Sequence, residues 1–155
     1  MPNEIITFLV AMTPVGELRA SLPLAIEVFN MPIWKAYLLS VAGNIVPVFL
    51  ILWLIGPISN FLRRFKIFDK FFTWLFARTR RKTEGKYAVY GELALILFVA
   101  IPLPITGAWT GSLAAFLFGV PKKRAIPLIV IGVIIAGFVV TLATLGVVSF
   151  LRFLV

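Results

Sequence analysis

Cysteine and histidine are both absent from the chain. Without cysteine there is no disulfide, no thiolate metal site and no thiol nucleophile. Without histidine the commonest general base and metal ligand is missing. The six acidic residues are scattered, so hydrolytic or metal-dependent catalysis has few parts to draw on. The expected reading is a non-enzyme with no cofactor. A basic n-region is also lacking: Glu4 sits where a secretory signal would carry Lys or Arg, so no cleaved signal is expected there.

Charge is missing altogether from 36–62, 93–121 and 125–151. Each stretch exceeds the roughly 20 apolar residues that a helix needs to span a bilayer. What is abundant fits this. Of 155 residues, 61% are apolar, and mean hydropathy is +1.07, well above the roughly 45–50% apolar share of a soluble domain. One polytopic membrane unit over 1–155 follows, with no room for a separate soluble domain.

The net charge of +9 is concentrated, with nine basic residues between Arg63 and Lys86. Directly after an apolar span, such a cluster marks a cytoplasmic loop in contact with anionic lipid. No groove-reading motif accompanies it, so nucleic acid is not an expected partner. Phe61, Phe65, Phe68, Phe72 and Leu75 recur at helical spacing, with Arg63, Arg64, Lys66 and Lys70 between them. They predict a basic amphipathic helix in the interface.

Along the chain, 5–16 is too short to span. Thr13-Pro14 reads as an N-cap followed by Pro at the first helical position. A second short helix is predicted from there toward Phe29, bent at Pro23. Asn30-Met31-Pro32 is a turn, and a full span follows from Ala36 to about Ile58. In 93–121, Pro102, Pro104, Gly107 and Gly111 fall in the middle. An arm on either side of that break reaches roughly 15 Å, near the midplane. A hairpin with its tip at Pro102–Gly107 also keeps Lys122, Lys123 and Arg124 on the same side as the 63–86 cluster. Ala125 to Leu151 is the second full span. At an offset of 89, Pro32, Ala36, Leu39, Val41, Gly43, Ile45 and Phe49 match Pro121, Ala125, Leu128, Val130, Gly132, Ile134 and Phe138.

The expected fold is therefore all-α: a polytopic membrane protein with two inverted repeats, each a re-entrant helical hairpin plus a transmembrane helix. Repeat one covers 1–58 and repeat two 91–155, with the amphipathic helix and loop at 59–90. Paired broken segments of this kind are where a small transporter binds cargo.

Two motifs carry the chemistry. In the first, Thr13 to Pro23, Glu17 and Arg19 are ionisable groups inside apolar sequence, which is costly at membrane depth and marks function. Arg19 suits a phosphate or carboxylate, Glu17 is the candidate proton carrier, and Ser21 on the same segment is a further candidate substrate-binding residue. Glu17 and Arg19 are two apart and would diverge on one helix, although at a broken tip they can pair. The bland alternative is a structural pair that pins the hairpin and touches no cargo. In the second motif, Ile101 to Ser112, the prolines and glycines leave backbone groups unpaired, which is tolerated only inside protein or facing a wet cavity. Thr106, Gly107, Trp109, Thr110 and Gly111 are the candidate lining; the alternative is a packed tip of small residues. Glu27 is a second candidate proton-coupling residue. Glu92 reads as interfacial, Lys35 as an interfacial anchor, and Asn44 as a helix–helix hydrogen bonder or nothing special.

Together, Glu17-Leu-Arg19 with Ser21-Leu-Pro23, and Pro104-Ile-Thr106-Gly107-Ala-Trp109-Thr110-Gly111, resemble the small multidrug export protein family, a branch of the DedA-like membrane protein superfamily. Ala20 and Ile105 stand where that pattern usually has Gly. The resemblance implies two opposed re-entrant hairpins in a bacterial or archaeal plasma membrane. It also implies a wider superfamily that includes lipid-phosphate flippases and proton-linked transporters. Three readings stay open: transport of an anionic solute or lipid headgroup, export of lipophilic cations, and a non-transporting scaffold. A homo-oligomer is expected, because two spans and two hairpins are few for enclosing a polar cavity.

Overall fold

The computed structural model describes residues 2–62, 64–65, 69–70, 73, 86–103 and 106–154. Among these, all regular structure is helical: α1 Asn3–Met12, α2 Glu17–Pro23, α3 Ile33–Leu62, α4 Lys86–Ala100, α5 Ala108–Leu117 and α6 Lys122–Leu154. Two helices are long and apolar enough to cross a membrane, Ile33–Phe61 and Lys122–Val147.

The first helical break differs from the sequence expectation. Thr13 ends α1 rather than starting α2: its hydroxyl donates to the Val10 carbonyl at 2.7 Å and accepts the Gly16 N–H at 3.2 Å. Closing a turn satisfies this side chain better than capping a helix from the far side of Pro14, and α2 begins only at Glu17. Pro23 ends the α-helical hydrogen bonding, since it has no N–H to give, and the chain continues as a π turn, Leu24–Val28. Asn30 then takes φ 49° at the chain reversal into α3.

The second break is as expected: α4 stops at Ala100 and α5 starts at Ala108, so 93–121 is not one continuous rod. Pro104 and Ile105 lie outside the described residues. So do most of the predicted amphipathic helix and the basic stretch 63–86. Within that region the Phe61 and Phe65 rings meet edge-on at 6.4 Å, and the Arg64 guanidinium sits 5.6 Å from the Phe61 ring. Helix α4 reaches back to Lys86, earlier than the charge pattern suggested.

Helix α1 packs on α3 and α4 packs on α6; α2 and α5 each touch both long helices, which also pack on each other. Glycines set the closest approaches. A Cβ on Gly43 would lie 2.5 Å from the Phe8 carbonyl oxygen on α1, and one on Gly132 would lie 2.7 Å from Val99 Cβ on α4. Leu18, Leu22, Val48, Ile129 and Val133, all essentially inaccessible, form the core where α2, α3 and α6 meet. Outside this core, Phe49, Trp53, Ile131 and Phe138 point outward from the long helices, which suits an apolar solvent.

Candidate functional site: the meeting of the two helical breaks

The two breaks lie against each other. Glu17, first in α2, has φ 47°, a backbone region that costs a non-glycine residue on the order of 1–3 kcal/mol. That twist brings its carboxylate to the N-terminus of α5. There Oε1 accepts the Trp109 N–H at 3.3 Å, and the Ala108 N–H and the Asn44 side chain face the carboxylate. A helix N-terminus carries unpaired N–H groups and partial positive charge, and so favours an anion.

Gly107 makes this seat. It takes φ 149°, ψ −168° as the N-cap of α5, a conformation essentially reserved for glycine. A Cβ there would collide with the Glu17 carboxylate.

Arg19 completes the junction. Its guanidinium lies 3.6 Å from Glu17 and donates to the Leu103 carbonyl in the second break. Of the two arrangements open to the pair, divergence on one helix or pairing at a broken tip, the structure has the second: Glu17 takes φ 47° at the start of α2, so i,i+2 helix geometry does not apply. The reverse bridge comes from Trp109, whose indole N–H donates to the Met12 carbonyl at 3.1 Å. Met12 ends α1, where carbonyls lack helical partners. Each tip thus donates a side-chain N–H to a backbone carbonyl of the other; the Leu103 carbonyl also accepts the Thr106 N–H at 3.1 Å.

The other candidates divide. Thr106 clasps its own turn: its hydroxyl accepts the Leu103 N–H at 3.0 Å and donates to the Ile101 carbonyl at 2.5 Å. Thr110 Oγ1 lies 3.4 Å from the Gly107 carbonyl on the first turn of α5. Gly111 is a close-packing position, where a Cβ would meet Val99. Glu27 is exposed on the π turn, with no hydrogen bond or ion pair to the cluster among the described residues. Ser21 is fully buried, and its hydroxyl has no partner among the described residues.

Asn44, read from the sequence as a helix–helix hydrogen bonder or nothing special, is joined by Ser40, which motif reading missed. Both are buried on α3, and Ser40 Oγ and Asn44 Oδ1 have no hydrogen-bond partner among the described residues. The available signal was two polar residues at i,i+4 on one face of an otherwise apolar span.

Long apolar helices combined with a buried, charged meeting of two helix breaks define a helical membrane protein with an internal polar site. Residues 17–139 match the model of a family described as "Putative small multi-drug export protein". The chain belongs to this family, whose name denotes export rather than catalysis. No curated protein and no solved structure matches the chain.

Proposed function

We propose that this chain is a small secondary transporter of the bacterial or archaeal plasma membrane, with α1–α2 and α4–α5 as re-entrant hairpins entering from opposite faces. The cargo is an anionic small solute or a lipid-phosphate headgroup, recognised at Arg19 and the N-terminus of α5. Glu17 carries the coupled proton. The observation that carries this reading is the reciprocal latch: Arg19 on one tip and Trp109 on the other, with the Glu17 carboxylate on the α5 N-terminus between them.

Several features support the inverted repeat. The packing scheme is unchanged when α1, α2 and α3 are exchanged for α4, α5 and α6. Lys35 bonds Glu4 at 2.8 Å and Arg124 bonds Glu92 at 3.2 Å, two ion pairs at corresponding places. Gly43 and Gly132, matched at the sequence offset of 89, are the sites where each long helix meets its own α1 or α4. Helices α1 and α5 have 10 residues each, about 15 Å, or half of a ~30 Å hydrocarbon core. Helix α3 has 30 residues and α6 has 33, enough to cross it fully.

In this reading Gly107, Trp109, Thr110 and Gly111 shape the α5 side of the site, and Thr106 holds the tip in form. Ser21 lies behind Glu17 rather than at the cargo. The basic stretch 63–86 faces anionic lipid on the cytoplasmic side, and copies of the chain associate in the membrane. Flux of sulfate and of a short-chain phosphatidylglycerol into liposomes tests the proposal. Arg19→Ala and Glu17→Gln should each abolish flux in protein that still folds and inserts; wild-type flux in both variants ends it.

Export of lipophilic cations is a second reading, favoured by the family name and by an apolar groove between α3 and α6. Ile33, Trp34, Tyr37, Leu38, Phe138 and Thr141 line it, and its aromatic rings suit a cation. Stabilisation of the purified protein by tetraphenylphosphonium but not by sulfate would select this reading.

A further inference from the structure

Behind Glu17 lies a polar cell that the transport reading does not use. Helix α2 runs back along α3 after the 29–32 reversal. An antiparallel register that sets Glu17 against Asn44 brings Ser21 beside Ser40 one turn along, and Ala25 beside Ala36 a turn further. The two alanines are completely buried and close that end. Ser21 and Ser40 are fully buried and Asn44 is 1% exposed, yet among the described residues Ser21 Oγ, Ser40 Oγ and Asn44 Oδ1 have no partner. Other buried hydroxyls behave differently: Thr7, Ser112, Thr141 and Thr144 each donate to the carbonyl four residues back. Buried polar atoms are nearly always paired, so three that this register aligns along the facing sides of α2 and α3 point to a place that receives a polar group.

Resting on the anion-transport reading, we propose that the cargo anion and the Glu17 carboxylate exchange on one seat, and that the cell of Ser21, Ser40 and Asn44 receives Glu17 once it is protonated. The seat on Ala108 N–H, Trp109 N–H and Arg19 holds one negative charge at a time. Glu17 fills it in the structure. When an anion arrives, the carboxylate takes a proton from water and rotates away. Its new O–H donates to Asn44 Oδ1, an acceptor without a donor, and its carbonyl oxygen accepts from Ser21 or Ser40. The anion then takes the N–H groups and the guanidinium. Charge balances before and after, with one anion facing Arg19 in each state. Arg19 is the charged group facing Glu17 among the described residues; α5 offers backbone N–H groups and α3 the neutral Asn44. Anion and proton are therefore bound together, and coupling needs no second site.

Calorimetry on the full-length protein in detergent tests this, using dimethyl phosphate and, separately, dihexanoylphosphatidylglycerol as probes, since each is a monoanion that does not titrate near neutral pH. Two buffers of different ionisation enthalpy count the protons. Wild type should take up about one proton per anion, with affinity falling about tenfold per pH unit once Glu17 is ionised. Glu17→Gln and Glu17→Ala should bind without proton uptake, independently of pH and at least as tightly as wild type. The S21A/S40A pair should weaken binding severalfold in the wild-type background and leave Glu17→Ala unchanged. Anion binding to wild type without proton uptake, or loss of binding in folded Glu17→Ala, overturns the exchange but not anion recognition. Failure of both probes to bind either wild type or Glu17→Ala overturns the transport reading and this inference with it. Binding of one probe alone tells whether the seat takes a free anion or a lipid headgroup, and supports the exchange if the proton count holds.

Discussion

Replacing Gly107 with Ala tests the junction most directly. The substitution adds one methyl group and no charge, so its effect is set by geometry. Gly107 sits at φ 149°, ψ −168°, and holding an L-residue there costs on the order of 1–3 kcal/mol. The new Cβ would also collide with the Glu17 carboxylate, with Oε1 and Cδ each at 2.6 Å. The carboxylate must leave, and a charged hydrogen bond from a backbone N–H is worth about 1.5–3 kcal/mol. The two effects together predict a loss of about 2.5–6 kcal/mol, a large share of the 5–15 kcal/mol that holds a typical fold. Unfolding in mixed micelles, followed by tryptophan fluorescence and circular dichroism, measures it. Glu17→Gly, alone and combined with Gly107→Ala, separates the two effects. The double variant should be less destabilised than the sum of the singles by about 1–3 kcal/mol, because the clash has lost its partner. Strict additivity, or a Gly107→Ala protein as stable as wild type, would refute the picture of Glu17 seated over Gly107.

Three further outcomes follow from the structure. Gly43→Ala and Gly132→Ala should each destabilise by about 1–3 kcal/mol through overpacking; Gly91→Ala and Gly146→Ala, with nothing within 4 Å of the new Cβ, should be neutral or slightly stabilising in the same unfolding assay. Glu4 lies outside both long spans, and the hydrogen bond from Lys35, followed by its own backbone N–H and the Lys35 charge, holds its carboxyl below the usual range. A depressed acid contributes stability above its unfolded pKa and loses it as pH falls through the folded value. The small melting-temperature advantage of wild type over Glu4→Gln should therefore be present at neutral pH and vanish in acid. Single cysteines introduced at Lys35 and Lys122 should label from opposite sides of the membrane; labelling from the same side would remove the opposed hairpins.

The helix breaks were legible because Pro and Gly act locally. Pro23 has no N–H wherever the chain goes, and the cluster from Pro102 to Gly107 ends α4 on backbone grounds alone. Thr13 was misassigned because a hydroxyl can serve the helix on either side of it, and hydrogen-bond geometry decides which. Gly43 and Gly132 were visible as a repeat match, but their role as contact points was not, since it depends on which helix each one faces.

Residue order and composition alone determined the apolar spans, the two interrupted segments and the presence of Glu17 and Arg19 inside them, since hydropathy and backbone chemistry need no partners. Only the tertiary structure decided that Glu17 closes the N-terminus of α5, that Arg19 and Trp109 reach across to Leu103 and Met12, and that Ser21, Ser40 and Asn44 are buried. Those contacts join residues about 20–100 positions apart in sequence, and helical periodicity holds information only within a few turns.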